Sequence, residues 1–577
     1  MSNKKELTAD FKKYRLLTFI EFGAGALFTL LNISLHADIS LLAFPIALIY
    51  FGLTCWFVVK KLIIDTDGTH IYAGIKLNEY LPYVFFITFI LRRAGNEGTA
   101  FVTDVFAVIS WFIVFILAYM NSRVLYPAKN KAIVQGWNVV PVEKKFKGTA
   151  RIIFEFVDWI DAFIWSIFTV LIFQIFLMQL YEIPSESMVP TFLVKDKVFV
   201  SKIDCGPKFP LTDVGLPDFR KYKRGDTIVL RNPHYSMDRK SEVKTVSSQL
   251  LYMLTIMQVN LNKDSHGELK SDPLVKRITG LPGEQLVMQD GTLYRRTAGN
   301  DVFEPVAQDL KYAAWNLNAV NKKVRPYIQY FPFTADEYQQ MIDFEESRRN
   351  YDLTAAEFQA YEISRRLKKL AVINKDTGTF SKPSVFEYNL FANVNRLTKN
   401  LLSQEGGIDW FESFMTSWIP QKDAVRDIYA ESNFKLNVMT KITLGKIVVE
   451  YAQLITDGIS EDQWGQDTEL VELYNNAELL DWYIGMLDER NMPVFPANDA
   501  DGNPVYIPEN CYFMMGDNRF NSLDLRHAYE QKETALTKDD PLSVTYYSLM
   551  APQYINKKYI IGKPVFRFLP LGRFGKV

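Results

Sequence analysis

Three short blocks of the chain hold residue types that could do chemistry. The first is Ile183-Pro184-Ser185-Glu186-Ser187-Met188-Val189-Pro190-Thr191, the second the pair Lys276-Arg277, and the third Gly516-Asp517-Asn518-Arg519. A serine hydroxyl is a poor nucleophile until a neighbouring base takes its proton. The usual base is histidine, and the chain has five: His36, His70, His234, His266 and His527. The first two fall in an apolar region, while His234 and His527 flank the blocks and read as surface or packing residues. Lysine can act instead if its ammonium is desolvated, which lowers its pKa towards neutrality. Pro273 to Ile278 reads as a strand with an apolar face, closed by the turn Gly280-Leu281-Pro282-Gly283. Taken alone, Lys276 reads as a solvated strand lysine; beside a serine at the foot of an apolar run, it points to peptide-bond cleavage at a bilayer surface.

The elements that must position these blocks begin in the membrane. Apolar runs crowd the first 180 or so residues, and 42 Phe and 30 Tyr suit membrane helices with interfacial belts. Segments of spanning length are expected at Leu16–Leu35, Ile39–Val59, Ala100–Met120 and Ala162–Tyr181. Tyr80–Leu91 is short and ends in Arg92-Arg93, so it spans only if it begins earlier. Lys4, Lys5, Lys12, Lys13 and Arg15 precede the first span. Arg123 to Arg151 adds Lys129, Lys131, Lys144, Lys145 and Lys147 against Glu143 alone. Both stretches should stay cytoplasmic, which requires an even number of crossings between them and makes Tyr80–Leu91 the fourth. Everything from Glu182 onward then lies on the trans side, with Ser187 no more than about 20 Å from the bilayer edge. A cleaved signal peptide at the N-terminus is the alternative, but a second span follows the His36-Ala37-Asp38 turn, as in an anchored hairpin. Glu21 and Asp104 are expected to snorkel at span ends, although an acidic group in a span can mark a functional site.

At 577 residues the chain should hold two to four units, and a net charge of −1 offers nothing to attract nucleic acid. Cys55 lies in an apolar run. Cys205 and Cys511 share the aqueous part, where one disulfide is open, but spacing alone does not show that they meet. Neither Cys-x-x-Cys nor His-Glu-x-x-His spacing occurs, so no metal site is expected.

The blocks resemble those of the type I signal peptidases. The family's Pro-Ser-x-Ser-Met-x-Pro-Thr block matches 184–191, its Lys-Arg-x-x-Gly-x-Pro-Gly block matches 276–283, and Gly225-Asp226-Thr227-Ile228-Val229 matches an intervening one. Gly516 to Arg526 matches Gly-Asp-Asn-Arg-x-x-Ser-x-Asp-x-Arg, and Ile560 to Phe566 resembles the last strand. The resemblance implies Ser187 as nucleophile and Lys276 as base, with no cofactor. It implies that the Ser185 hydroxyl and the Ser187 N–H form an oxyanion hole, that Ser522 holds the Lys276 amine, and that Asp524 and Arg526 form a structural ion pair. It gives Gly516 and Asp517 supporting roles, and Met188 and Pro190 a part in shaping the substrate cleft. Three positions depart from the pattern: Glu186 for Gly, with its side chain expected in solvent, Leu525 for Ser, and Glu284 for Asp.

The expected fold is multi-domain: an α-helical transmembrane region and a β-rich catalytic domain of signal-peptidase type, interrupted by a large, mainly helical insertion. The expected boundaries are 1–160 for about four spans, 161–181 for the anchor, 182–300 and 496–577 for the two parts of the catalytic domain, and 301–495 for the insertion. Ala335–Leu370 and Asp467–Glu489 show helical spacing. Val243–Leu261 carries an apolar helical face that would rest either on the membrane or in a core. The resemblance implies a multi-pass enzyme of the cytoplasmic (inner) membrane whose partners are preprotein signal peptides, the lipid bilayer and the secretion machinery. A self-cleaving Ser/Lys protein of LexA type is disfavoured by the spans, and a scaffold with a decayed peptidase domain by the intact Ser185, Ser187, Lys276 and Ser522.

Overall fold

The computed structural model describes residues 9–125, 148–255, 258–263, 267, 270–316, 318, 320–328, 333–371, 378–381 and 391–577. Much of the basic stretch from Arg123 to Arg151, together with Lys4, Lys5, His266 and Met257, lies outside them. Five long helices open the chain: α1 (Ala9–Leu31), α2 (Ala43–Phe57, continuing as wider turns to Ile64), α3 (Ile71–Arg93), α4 (Phe101–Leu125) and α5 (Thr149–Phe176). Among the described residues four stretches are long and apolar enough to cross a membrane: Phe11–Leu31, Ile39–Ile64, Phe101–Leu125 and Thr149–Phe176.

The short Tyr80–Leu91 run is the second half of α3, a helix of 23 residues, or roughly 34 Å. Its first half carries Lys76, Asn78 and Glu79, and the charges are met inside the protein. Lys76 pairs with Glu79 at 3.0 Å and with Asp161 of α5 at 2.6 Å, while Tyr80 donates to Asp161. Its second half buries Leu81, Phe85, Phe86 and Phe89 against the neighbouring helices. Glu21 and Asp104 do not snorkel. Both are buried, Asp104 against Arg93 at 2.8 Å and Glu21 against two asparagines.

The last span ends at Phe176, five residues before the expected Tyr181, because the chain has already turned into β1 (Met178–Glu182). It continues through β2 (Lys197–Ser201), β3 (Thr227–Leu230), helix α6 (Arg239–Leu254), β4 (Leu274–Gly280), β5 (Glu284–Gln289), β6 (Thr292–Thr297) and β7 (Glu304–Pro305). After a helical stretch come β8 (Met492–Phe495), β9 (Cys511–Met515), β10 (His527–Ala535), β11 (Thr545–Met550), β12 (Ile555–Asn556), β13 (Ile560–Leu569) and β14 (Gly575–Lys576). The main sheet runs β1-β2-β13-β3-β4-β9-β12, antiparallel throughout, with β14 added on β13. A second sheet runs β7-β6-β5-β8, and β10 pairs only with β11. Strands 227–230 and 284–289 are buried at every position, so this β region has an interior of its own. At the bend from β4 into β5, a Cβ on Gly280 would stand 2.5 Å from Leu286 and 2.8 Å from Phe513, so a side chain there would push the two sheets apart.

Between β7 and β8 lies a helical body with a separate core built around Phe411, Met415, Trp418, Phe434, Ile447 and Tyr483. Its central helix, Ile428–Thr456, starts on an Asp427 cap, and the helix Ala335–Arg349 starts on a Thr334/Glu337 capping box. Leu536, Val544 and Tyr546 of the β10–β11 hairpin join this core. Val306, Trp315 and Met492, by contrast, pack in the β core. Cys205 and Cys511 are buried in that same β core as free thiols.

The apolar N-terminal helices and the β region meet around an aromatic cluster with Phe209 at its centre. Phe209, from the loop after β2, lies 4.8 Å from Phe89, 5.1 Å from Trp111 and 5.8 Å from Phe176, measured between ring centroids. Beside it, Val243, Val246 and Leu250 of α6 pack on the same cluster. The apolar face of α6 therefore rests on protein, on the membrane helices themselves.

Candidate active site

Ser187 lies in a turn held from beneath. Met188, Val189 and Phe192 are essentially inaccessible to water, and Met188 and Phe192 join Ile183, Val198, Val200 and Val229 in a small core. Met188 therefore supports the turn from inside, whereas Pro190 is half-buried. Ser185 is exposed, and its hydroxyl donates to Ser187 Oγ at 3.4 Å. Glu186, expected in solvent, is only 4% exposed; the turn that presents its two serine neighbours carries its own side chain inward.

Lys276 sits on β4 opposite Ile228 of β3, and the adjacent Arg277 lies opposite Met515 of β9. Consecutive strand residues point to opposite faces, so the two cations serve different sides of the sheet. Lys276 is 2% exposed, and burial pushes its amine down to about 8; Asp524 pulls the other way and Arg526 adds to the depression.

Arg277 is bound on every side. It donates to Asp517 Oδ1 at 2.7 Å and Oδ2 at 2.6 Å, to Thr191 Oγ1 at 2.9 Å and to the Gly225 carbonyl at 2.6 Å. It also covers the Tyr312 ring at 3.8 Å, and Thr191 donates to Asp517 in turn. The serine turn, the lysine strand, the Gly225 block and the Gly516 block are thus joined by one guanidinium. Asp517 is a clamp in this network.

The loop after β9 completes the site. Gly516 N–H and Ser522 Oγ both donate to Asp524 Oδ2, at 2.8 and 2.9 Å. Arg526 takes the same carboxylate with its side chain, at 2.9 and 3.1 Å, and with its backbone N–H at 3.1 Å. Burial alone would raise the Asp524 carboxyl, but the Arg526 charge and its hydrogen bonds hold it far below the usual carboxylate range. The Ser522 proton is committed to Asp524, so this hydroxyl can meet the Lys276 amine only through a lone pair.

Gly516 is the point where the blocks touch. A Cβ there would stand 2.1 Å from Ser522 Oγ and 2.5 Å from the Ser187 carbonyl oxygen. That carbonyl accepts from Asn518 N–H at 3.1 Å. Ser187 and Ser522, 335 positions apart in the chain, therefore flank the same glycine.

Burial pushes His527 down to about 4, and it lies 3.9 Å from Asp524, so its imidazole is neutral and a packing group. His234 stacks on Tyr529. Sequence reasoning gave no role to Arg277, although its place in the Lys-Arg block was a signal. It also missed Asp309, which grips Arg519 at 2.6 and 2.8 Å while Ala314 N–H donates to the Asp517 carbonyl. Nothing in the local sequence around Asp309 marks it as a partner of a loop 210 residues away.

Residues 156–352 match the family described as signal peptidase, peptidase S26. This stretch holds Ser187 and Lys276 and ends before the Gly516 block. The chain is 23% identical to signal peptidase I of Buchnera aphidicola subsp. Schizaphis graminum over 235 residues, covering 39% of this chain and 73% of the relative. It is 35% identical to signal peptidase I of Pseudomonas fluorescens over 77 residues, covering 13% and 27%. Signal peptidase I of Buchnera aphidicola subsp. Baizongia pistaciae matches at 37% over 65 residues, covering 11% and 21%.

Proposed function

We propose that this chain, a membrane-associated serine endopeptidase related to the type I signal peptidases, cleaves N-terminal signal peptides from secreted preproteins through a Ser187/Lys276 dyad and an acyl-enzyme. The observation that carries the reading is a lysine amine stripped of water on the strand next to the loop that braces Ser187. A neutral amine can take the Ser187 proton as the hydroxyl attacks the scissile carbonyl. The Ser185 hydroxyl and the Ser187 N–H stabilise the oxyanion, and Ser522 orients the amine through its free lone pair. Water activated by the same lysine then releases the mature protein. Asp524, Arg526, Gly516 and Asp517 position these groups.

The preprotein is bound while its own apolar helix is still in the bilayer, which fits a catalytic turn reached directly from α5. The N-terminus is cytoplasmic and the catalytic region, residues 182–300 and 496–577, stands on the trans side of the cytoplasmic membrane, within reach of the secretion machinery. The inserted helical body lies within residues 301–495, between β7 and β8.

The test is cleavage of a detergent-solubilised preprotein by wild type, Ser187→Ala and Lys276→Ala, with sequencing of the product N-terminus. Cutting after a small residue by wild type, lost in both variants, supports the reading; variants that cut like wild type overturn the dyad.

A further inference from the structure

Among the titratable groups that the proposed chemistry leaves unused, Glu21 stands out by its place. It lies near the middle of α1, is fully buried, and is contacted by α3 and α4. Asn121 of α4 and Asn78 of α3 donate side-chain N–H groups to its Oε2 at 2.6 and 3.3 Å. Its other oxygen, Oε1, is buried and meets no donor among the described residues. The same holds for Asn78 Oδ1, Asn121 Oδ1, Thr18 Oγ1 and Ser122 Oγ, all buried without a hydrogen-bond partner. Thr18 is one turn before Glu21 on the same helix, and Ser122 follows Asn121. Among the described residues no Lys, Arg or His pairs with Glu21, in contrast to Asp104, the other buried carboxylate of the bundle, which Arg93 neutralises.

An acidic side chain at this depth is costly unless a counter-charge reaches it. The amide orientations are set by the carboxylate, since reversing either would aim oxygen at oxygen. What remains is a set of oxygens alone: one carboxylate oxygen, two amide carbonyls and two hydroxyls. Oxygen-only sets suit hard cations, and a single carboxylate balances a single positive charge, where divalent ions draw several acidic ligands. A proton on Oε1 would serve one of these oxygens and leave the others unpaired.

We propose that the membrane bundle binds a monovalent cation of the sodium class at Glu21, with neutral oxygens from Asn78, Asn121, Thr18 and Ser122, and that the ion ties α1 to α3 and α4.

The experiment is thermal unfolding of the full chain in detergent, in sodium chloride against N-methylglucamine chloride at equal ionic strength and fixed pH. A saturable rise in Tm of about 3 °C or more with sodium is expected for wild type and is lost in Glu21→Gln. Preprotein cleavage by Glu21→Gln reports that the variant is folded, and retention of radioactive sodium by wild type gives a reading independent of any variant. Equal Tm values in the two salts, with no sodium retained, overturn the proposal. A Tm that follows pH but not sodium assigns Glu21 to a proton and overturns it as well, as does a sodium shift that survives in Glu21→Gln.

Discussion

Two lysines of this chain are shut away from water, and their fates differ. Lys441, in the middle of the helix Ile428–Thr456, is fully buried and fully partnered: Asp540 at 2.5 Å, the Phe414 carbonyl at 2.7 Å and Ser417 Oγ at 3.0 Å. Lys276 is almost as deeply buried, yet among the described residues no carboxylate stands within ion-pair distance of its amine, and Asp524 acts on it only from further away. Asp524 has given its oxygens to Arg526, Ser522 and Gly516. Burial withdraws water from both amines, but only in the helical body does the fold replace what water supplied. The desolvated, unpaired amine is the one driven towards neutrality, so the withheld partner is what suits Lys276 to the proposed role of base.

The sharpest way to break this comparison is to truncate each lysine. Lys276→Ala should lower preprotein cleavage by about 10³-fold or more while leaving the unfolding midpoint at or above that of wild type. Residual activity within tenfold of wild type would refute its role as the base. Lys441→Ala should do the reverse, costing about 3–5 kcal/mol of stability because Asp540 is left buried and unpaired. Cleavage by the molecules that remain folded should be normal, and an unchanged denaturation curve would remove Lys441 from the argument. Arg277→Lys tests the bracing of the site. It replaces a planar fork on Asp517 with a point charge and should lose about 1–3 kcal/mol, measured by chemical unfolding.

The smallest effect is graded with pH. With its amine near 8, Lys276 should give a cleavage rate that falls about tenfold per pH unit on going below that value. The stability sign follows from the same shift. Between about 8 and the ordinary 10.5 the unfolded chain holds the proton that the folded chain has lost, so stability rises with pH across that window. Below about 8 the full penalty of the buried ammonium is present. Lys276→Met should flatten that slope, and an unchanged slope in this variant would show that other groups set it.

The serine and lysine blocks stood out because the proposed chemistry demands particular residue types in a fixed order. The spans were legible because the bilayer demands apolar length. Tyr80–Leu91 reads in sequence as a crossing, but α3, to which it belongs, is not among the four described stretches apolar enough to cross. The charges in its first half are met by α5, a partner that a hydropathy pattern cannot see. Glu186 was misplaced for a related reason: in a tight turn the direction of each side chain is set by the core below it. Asp309 was unreadable, as its importance lies wholly in reaching Arg519.

By itself the sequence determined which groups could react and that the chain is held by apolar helices, since both follow from residue type and local spacing. The tertiary structure decided which charges are paired. It gave Asp540 to Lys441, Arg526 to Asp524 and Arg93 to Asp104, and left Lys276 and Glu21 without an ion-pair partner among the described residues. Those pairings join residues far apart in the chain, and electrostatics in a buried site depends on distances through space that one-dimensional order does not carry.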